Sequence, residues 1–350
     1  MPKRALFWII LVIINLCIIE VSLRVFNFFY PSSVFHDDSY NQYRGKPHSD
    51  NYGFPLNSKG FKDIEYNLKK DGTFRIVGIG DSFTFGVVPY SYNYLKILED
   101  SLNGRIKKPA IEIVNMGIAS TSPPDYLAVL ANEALPMQPD MAIVSVFVGN
   151  DIVESTLSSR KRKMYSYFYL ASALYYIYKF TSSIGKGTSF STYGEGASYC
   201  DTCSTYKPEK YLGIESERCY IFRKDDLRFK RDIVDALYYL KRISFFCKAK
   251  GIKLLVVLLP DEMQVNEKLR KEVMDNMVMG PEIWDNSQPN RVLHQKLSEM
   301  KIPVIDLLPT FIANSKDTPT YIPNDSHWNI KGHEVAAATL LKVLPQYITN

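Results

Sequence analysis

Five short apolar runs constrain what this chain can fold into. They read FRIVGIG (74–80), IEIVNMG (111–117), MAIVSVFVG (141–149), GIKLLVVLLP (251–260) and KIPVIDLLP (301–309). None alternates apolar with polar. A strand wetted on one face alternates, whereas a strand covered on both faces does not, so the runs predict strands buried between two layers. Between them lie segments with helical spacing at 87–103, 122–135, 226–250, 287–300 and 330–345. Strand followed by helix, repeated, predicts a doubly wound α/β domain with three α/β/α layers and a five-stranded, mostly parallel sheet. Ligands of such sheets bind at the C-terminal strand ends.

The start of the chain has a different character. Lys3 and Arg4 precede an apolar run from Ala5 that continues to Phe26, interrupted by Asn15, Glu20 and Arg24. At 1.5 Å per residue this length matches a ~30 Å hydrocarbon core. The expectation is an N-terminal transmembrane helix over 1–26. Two alternatives are a cleaved signal peptide, for which no small-x-small site follows, and lipid attachment at Cys17, for which Leu16 is a poor preceding residue. The basic residues ahead of the run favour a cytoplasmic N-terminus and an extracytoplasmic remainder, periplasmic or extracellular. Residues 27–72 read as a linker and a packed lead-in loop, and 73–350 as one domain with an insertion at about 152–225. That insertion joins a basic cluster (SSRKRK, 158–163) to a tyrosine-rich apolar helix at 165–180 and then a loop at 181–210. The helix reads either as packed on the domain or as a membrane-surface or acyl-binding element.

Composition narrows the partners. Net charge is +5 with acidic residues interleaved among the basic ones, which argues against a nucleic-acid partner. Cys200, Cys203, Cys219 and Cys247 permit two disulfides in three pairings. A zinc site would want a second tight pair beside the Cys200–Cys203 CxxC, and no strand and helix frame that motif as a redox site.

Chemistry-bearing residues gather at the expected strand ends. Gly80-Asp81-Ser82 ends the first strand, Asn115-Met116-Gly117 the second and Gly149-Asn150-Asp151 the third, while Asn324-Asp325-Ser326-His327-Trp328 follows the fifth. Acyl transfer needs a hydroxyl nucleophile, a histidine base, an orienting carboxylate and donors for an oxyanion. Ser82, His327 and Asp325 supply the first three. The Ser82 N–H, the Gly117 N–H and the Asn150 amide supply the donors. Taken singly, each piece also reads as a turn, a helix cap or a core residue. Asp81 and Asp151 read as fixing loop geometry, His333 as packing or helix N-terminal solvation or else a substrate contact, and Phe83 and Trp328 as either site walls or core aromatics.

With these blocks in hand, the chain resembles the SGNH (GDSL-type) hydrolase superfamily. Ser82 in GIGDSFTFG, Gly117 in NMGIAS, Asn150 in FVGNDI and His327 in NDSHWN match its four named residues. PLNSKGFKD (55–63) and the short anchor resemble membrane-anchored bacterial members. The resemblance covers about 50–151 and 250–345. It implies the flavodoxin-like SGNH fold, ester hydrolysis or acyl transfer without a metal or other cofactor, and an acylated glycan or lipid as substrate. Val148 stands where the family has glycine. The acid lies one residue nearer the histidine than usual, so Asp325 resembles the Asp-x-His-Trp form of relatives that acetylate polysaccharides, with Asn324 the alternative partner of His327. A catalytically silent glycan-binding scaffold is the reading from another class. The sequence does not define the oligomeric state.

Overall fold

A computed structural model describes residues 3–29, 40, 44–66, 68–155, 164–183 and 198–348. The chain divides into two compact units, residues 1–42 with 160–192, and residues 43–159 with 193–350.

The larger unit holds the sheet. Its strands are β1 (Thr73–Gly80), β2 (Ala110–Gly117), β3 (Met141–Phe147), β4 (Lys253–Leu259) and β5 (Val304–Asp306). All neighbours pair in parallel, in the order β2-β1-β3-β4-β5. The sheet is thus parallel throughout. In chain order the helices are α1 (Lys3–Phe29), α2 (Ser82–Phe85), α3 (Tyr94–Arg105), α4 (Pro123–Val129), α5 (Asp151–Glu154), α6 (Tyr169–Ser183), α7 (Pro208–Arg218), α8 (Leu227–Lys250), α9 (Glu262–Val265), α10 (Glu267–Asn276), α11 (Gln288–Glu299), α12 (Leu308–Asn314), α13 (Ile330–Leu340) and α14 (Pro345–Ile348).

Side chains alternate across a strand, and both faces are apolar here. Ile76, Ile113, Ile143 and Val257 cluster with Leu95, Leu98 and Leu102 of α3 and Val335, Ala336 and Leu340 of α13. The intervening Val77, Val114, Val144 and Val256 are equally buried and turn to the opposite face. There α8 packs against β4, α4 and α11. It offers Phe229, Ile233, Ala236, Leu240, Ile243 and Cys247, a stripe at helical spacing. Full burial of each large aliphatic side chain contributes roughly 1.5–3 kcal/mol. The three-layer expectation holds, and the layers fix the C-terminal ends of β1, β2 and β3 side by side.

Helix α3 starts later than the apolar spacing suggests. Pro89 opens a separate short turn, and Asn93 caps α3 by accepting from the Leu95 N–H. The cysteines form one disulfide, Cys200–Cys203, whereas Cys219 and Cys247 are buried free thiols. In the smaller unit, Lys3–Phe26 is long and apolar enough to cross a membrane, with mean hydropathy 2.6 and none of its most apolar window buried. The tyrosine-rich helix expected at 165–180 appears as α6. The basic cluster at 160–163 and the loop stretch 184–197 lie outside the described residues.

Candidate active site

Ser82 is the first residue of α2, immediately beyond the C-terminal end of β1. Asp81 caps that helix, its carboxylate accepting from the Phe83 N–H at 2.9 Å. The helix lies tightly against two strands, which explains both glycines at the strand ends. A Cβ on Gly80 would sit 2.1 Å from Thr84 Oγ1, and one on Gly117 would sit 2.1 Å from the Phe85 nitrogen.

Three side chains form a continuous hydrogen-bonded row. Ser82 Oγ is 2.7 Å from His327 Nε2, and His327 Nδ1 is 2.5 Å from Asp325 Oδ1. Asp325 also accepts the His327 backbone N–H at 3.0 Å. Burial pushes the Asp325 carboxyl up, but the charge and hydrogen bonds of His327 outweigh it and hold the group below the usual carboxylate value. Asp325 is therefore ionised beside the imidazole, the arrangement that fixes its tautomer.

Asn324 takes the other route. Its φ of +48° is left-handed, a region Asn tolerates better than most residues. The side chain turns away and donates to Ser204 Oγ at 2.5 Å. Of the two expected partners, Asp325 is the one that meets His327.

The expected oxyanion donors fare unequally. Ser82, at the first helical position, has no intrahelical acceptor for its N–H. The Gly117 N–H already donates to Asn115 Oδ1 at 2.9 Å. The close approach of α2 is enough to demand glycine at 117. A residue the sequence reading passed over lies just beyond. Ser120 is exposed with a φ of +60°. Its loop folds back on β1, because the Ile118 N–H donates to the Gly80 carbonyl at 3.0 Å. A polar residue three positions after a strand end, before a Ser-Pro-Pro helix start, was the available signal. Asn150 precedes α5 at the end of β3, and its amide reaches Glu154 Oε1 only at 3.5 Å, a weak bond.

Of the two readings of Phe83 and Trp328, site wall or core aromatic, burial matches the second. Trp328 is 0% exposed, and Phe83 is 2% exposed. The Phe83 ring lies 5.2 Å from the His327 ring, 5.1 Å from Trp328 and 4.3 Å from Phe147. It supports the imidazole from inside. Behind Ser82, Asp151 is fully buried and accepts from the Tyr126 hydroxyl at 2.8 Å and the Phe147 N–H at 2.9 Å. Burial, reinforced by Asp81, pushes its pKa well up. Burial also raises Asp81, to about 6, against the pull of the Phe83 N–H and His327. These are framework carboxylates. His333 is likewise structural, since its Nδ1 accepts the Tyr94 N–H at 3.2 Å. Burial, with the charges of Lys62 and His327, lowers it to about 3 and keeps it neutral.

The insertion contributes more than the sequence suggested. Arg218 ends α7 and donates to Ser326 Oγ at 3.0 Å, between Asp325 and His327. It pairs with buried Glu215 and with buried Asp261 at 3.1 Å, and lies 5.4 Å over the Phe147 ring. A second strap runs along 204–206. The Thr205 and Tyr206 N–H groups donate to the carbonyls of Pro323 and Asn324 at 3.2 and 3.3 Å. Asp201, inside the Cys200–Cys203 loop, accepts the N–H of Ile330 at 3.1 Å, at the start of α13. From the lead-in loop, buried Lys62 donates to the carbonyls of Gly86 and Val88 beyond α2.

Comparison with known proteins gives one family model and several distant structural likenesses. Residues 222–349 match the family model described as "SGNH hydrolase-like domain, acetyltransferase AlgX". That stretch contains Asp325 and His327 but not Ser82. Among solved structures, the chain is similar to a lipolytic protein of the G-D-S-L family from Veillonella parvula DSM 2008, at 15% identity, TM-score 0.42, covering 78% of this chain and 99% of that one. It is also similar to the acetyl xylan esterase AlAXEase, at 12% identity, TM-score 0.44, covering 77% and 100%. A third is a lipase/acylhydrolase from Enterococcus faecalis, at 12% identity, TM-score 0.42, covering 78% and 96%. These three are distant likenesses. No curated protein matches the chain. Residues 222–349 are thus similar to an SGNH hydrolase-like domain.

Proposed function

We propose that the protein is a membrane-anchored extracytoplasmic esterase or O-acyltransferase that works on acetyl or similar acyl esters of an envelope glycan, with Ser82 as nucleophile. The observation that carries the chemistry is the row Ser82 Oγ, His327 Nε2, His327 Nδ1, Asp325, at 2.7 and 2.5 Å. Ser82 attacks the ester carbonyl as His327 takes its proton. Asp325 stabilises the imidazolium that forms. The developing oxyanion sits against the Ser82 N–H, the Ser120 turn and the Asn150 amide. His327 then gives its proton to the departing alkoxide. Attack on the acyl-enzyme by water completes hydrolysis, and attack by a sugar hydroxyl completes transfer.

The choice of an acetyl group rests on the family model over 222–349, whose description names an acetyltransferase, and the choice of a glycan on the Asp-x-His-Trp resemblance to relatives that acetylate polysaccharides. The Asp325-Ser326-His327-Trp328 block lies within 222–349. The choice of an anchor rests on the unburied apolar helix α1. Domain limits follow: anchor 1–26, lead-in 27–72 and hydrolase domain 73–350 carrying the insertion at about 152–225.

The test offers purified full-length protein an acetylated oligosaccharide donor and an unacetylated acceptor. Release of acetate or appearance of acetylated acceptor, either one lost in Ser82→Ala, supports the reading. Turnover restricted to long-chain acyl esters would move the substrate to lipid. Saturable glycan binding without turnover would make the protein a scaffold.

A further inference from the structure

The smaller unit contains polar groups that a simple anchor does not need. Glu20 lies in a largely apolar helix, none of whose most apolar stretch is buried. Its two carboxylate oxygens accept the backbone N–H groups of Tyr169 and Leu170 at 3.0 and 2.9 Å. Those are the first two residues of α6. Arg24, one turn along α1, pairs with Glu20 at 2.7 Å and donates to the Tyr167 carbonyl at 2.9 Å. Its guanidinium lies 4.5 Å over the Tyr169 ring. A helix starts with N–H groups that no residue of its own can satisfy. Here a carboxylate from α1, 149 and 150 positions away in sequence, closes two of them. The ionised group inside the apolar helix is neutralised by Arg24 and by that helix end.

Helix α6 is 15 residues long, which is about 22 Å at 1.5 Å per residue and short of the ~30 Å a span requires. One side carries apolar side chains that are more than half exposed: Leu174, Ile177 and Tyr178, at helical spacing, are 58%, 56% and 67% exposed. Ser172 is buried on the other side. Phe168 and Tyr167, at the start of the helix, are exposed too. What covers this face follows from its continuity with α1, because the same two residues that interrupt the span hold the start of α6. The sequence around it suits a water–lipid boundary. Tyrosines occupy 165, 167, 169, 175, 176 and 178, and Arg160-Lys161-Arg162-Lys163 precede them. Tyrosine favours the headgroup level, and basic runs favour anionic headgroups.

From these contacts we infer that α6 is an interfacial membrane helix. It lies in the headgroup boundary of the phospholipid bilayer that α1 crosses, with Leu174, Ile177 and Tyr178 in lipid and Glu20 and Arg24 setting where it begins. This rests on reading α1 as an anchor, so the experiment separates the two. Full-length protein is reconstituted into vesicles of phosphatidylcholine with phosphatidylglycerol. A photo-crosslinking residue is placed at position 12, 174, 177 or, as an aqueous control, at exposed position 68. Lipid adducts at 12, 174 and 177 but not at 68 are expected. Adducts at 12 without adducts at 174 and 177 overturn the inference and leave the anchor intact. No adduct at 12 overturns the anchor reading beneath it. In Glu20→Leu, adduct yield at 177 should fall about fivefold, the equivalent of about 1 kcal/mol for a lost helix cap, with position 12 unchanged. An unchanged yield at 177 removes Glu20 from the account.

Discussion

Replacing Arg218 by methionine tests whether the insertion holds the catalytic loop. The substitution keeps an apolar stem over Phe147 and removes the charge. What it leaves behind is the basis of the magnitude. Glu215 and Asp261 are both 0% exposed at the side chain, and Arg218 is their shared counter-charge. Removing one member of a buried ion pair costs about 3–5 kcal/mol, because the remaining charge has neither water nor partner. A domain of this kind has about 5–15 kcal/mol in total, so the variant should fold with a sharply reduced margin. The pH dependence has a definite sign. Burial raises Glu215 to about 8 even with Arg218 pulling it down, from an ordinary value of 4.5. Without Arg218 it rises further. Between the unfolded and folded pKa values the folded state binds more protons than the unfolded one, so stability falls as pH rises through that window. Below about 8 both proteins share that slope, so the deficit of Arg218→Met should grow only above it and be larger at pH 10 than at pH 8. Denaturant unfolding of the full chain in detergent at both values measures it. The loss of the Ser326 contact also frees the segment between Asp325 and His327, and a displacement of about 1 Å there lowers kcat on the order of 100-fold with a smaller change in KM. A deficit below about 1 kcal/mol at pH 8, or one that does not change with pH, would refute the reasoning.

Other perturbations have equally definite outcomes. Asp325→Asn should lower kcat about 10⁴-fold by favouring the wrong imidazole tautomer, while Asn324→Gly, which loses the Ser204 bond but keeps the left-handed turn, should stay near wild type; equal losses in acetyl-ester kinetics would contradict the assignment. Removing the Cys200–Cys203 bridge by double serine substitution opens a loop whose closure is worth about 2 kcal/mol. Amide exchange at Thr205 and Tyr206 should then speed up and kcat should fall, and unchanged exchange there counts against the strap. Lys62 is lowered by burial from 10.5 to about 7. The unfolded chain therefore binds the extra proton between those values, and wild-type stability gains with rising pH across them. Lys62→Met should lose that slope in unfolding experiments from pH 7 to 9, and a constant difference between the two proteins would remove Lys62 from the account.

The sheet was legible because burial on both faces leaves a local trace. Runs such as IVGI and LLVVLL admit little besides a covered strand. The row Ser82, His327, Asp325 was legible because each member sits next to such a strand or in a recognisable block. What escaped is long-range. Arg218 meets Ser326 across 108 positions, and nothing in PEKYLGIESER announces that contact. Phe83 and Trp328 stood beside site residues in sequence, yet they face the core, since adjacency along a chain does not say which way a ring points. Gly117 was read as an oxyanion donor, and the sequence did not show that its N–H meets Asn115 or that its missing Cβ makes room for Phe85. The position of the acid became clear only with the left-handed turn at Asn324, which sends one side chain outward and brings the next to His327.

The central claim is that Ser82 is the nucleophile, activated by His327. The direct measurement is labelling of the full-length protein by a fluorophosphonate, with the modified residue located by mass spectrometry and turnover of a small acetyl ester followed in parallel. The account predicts an adduct on Ser82 in the wild type, and loss of both labelling and turnover in Ser82→Ala. An adduct elsewhere, or undiminished turnover in that variant, would contradict it.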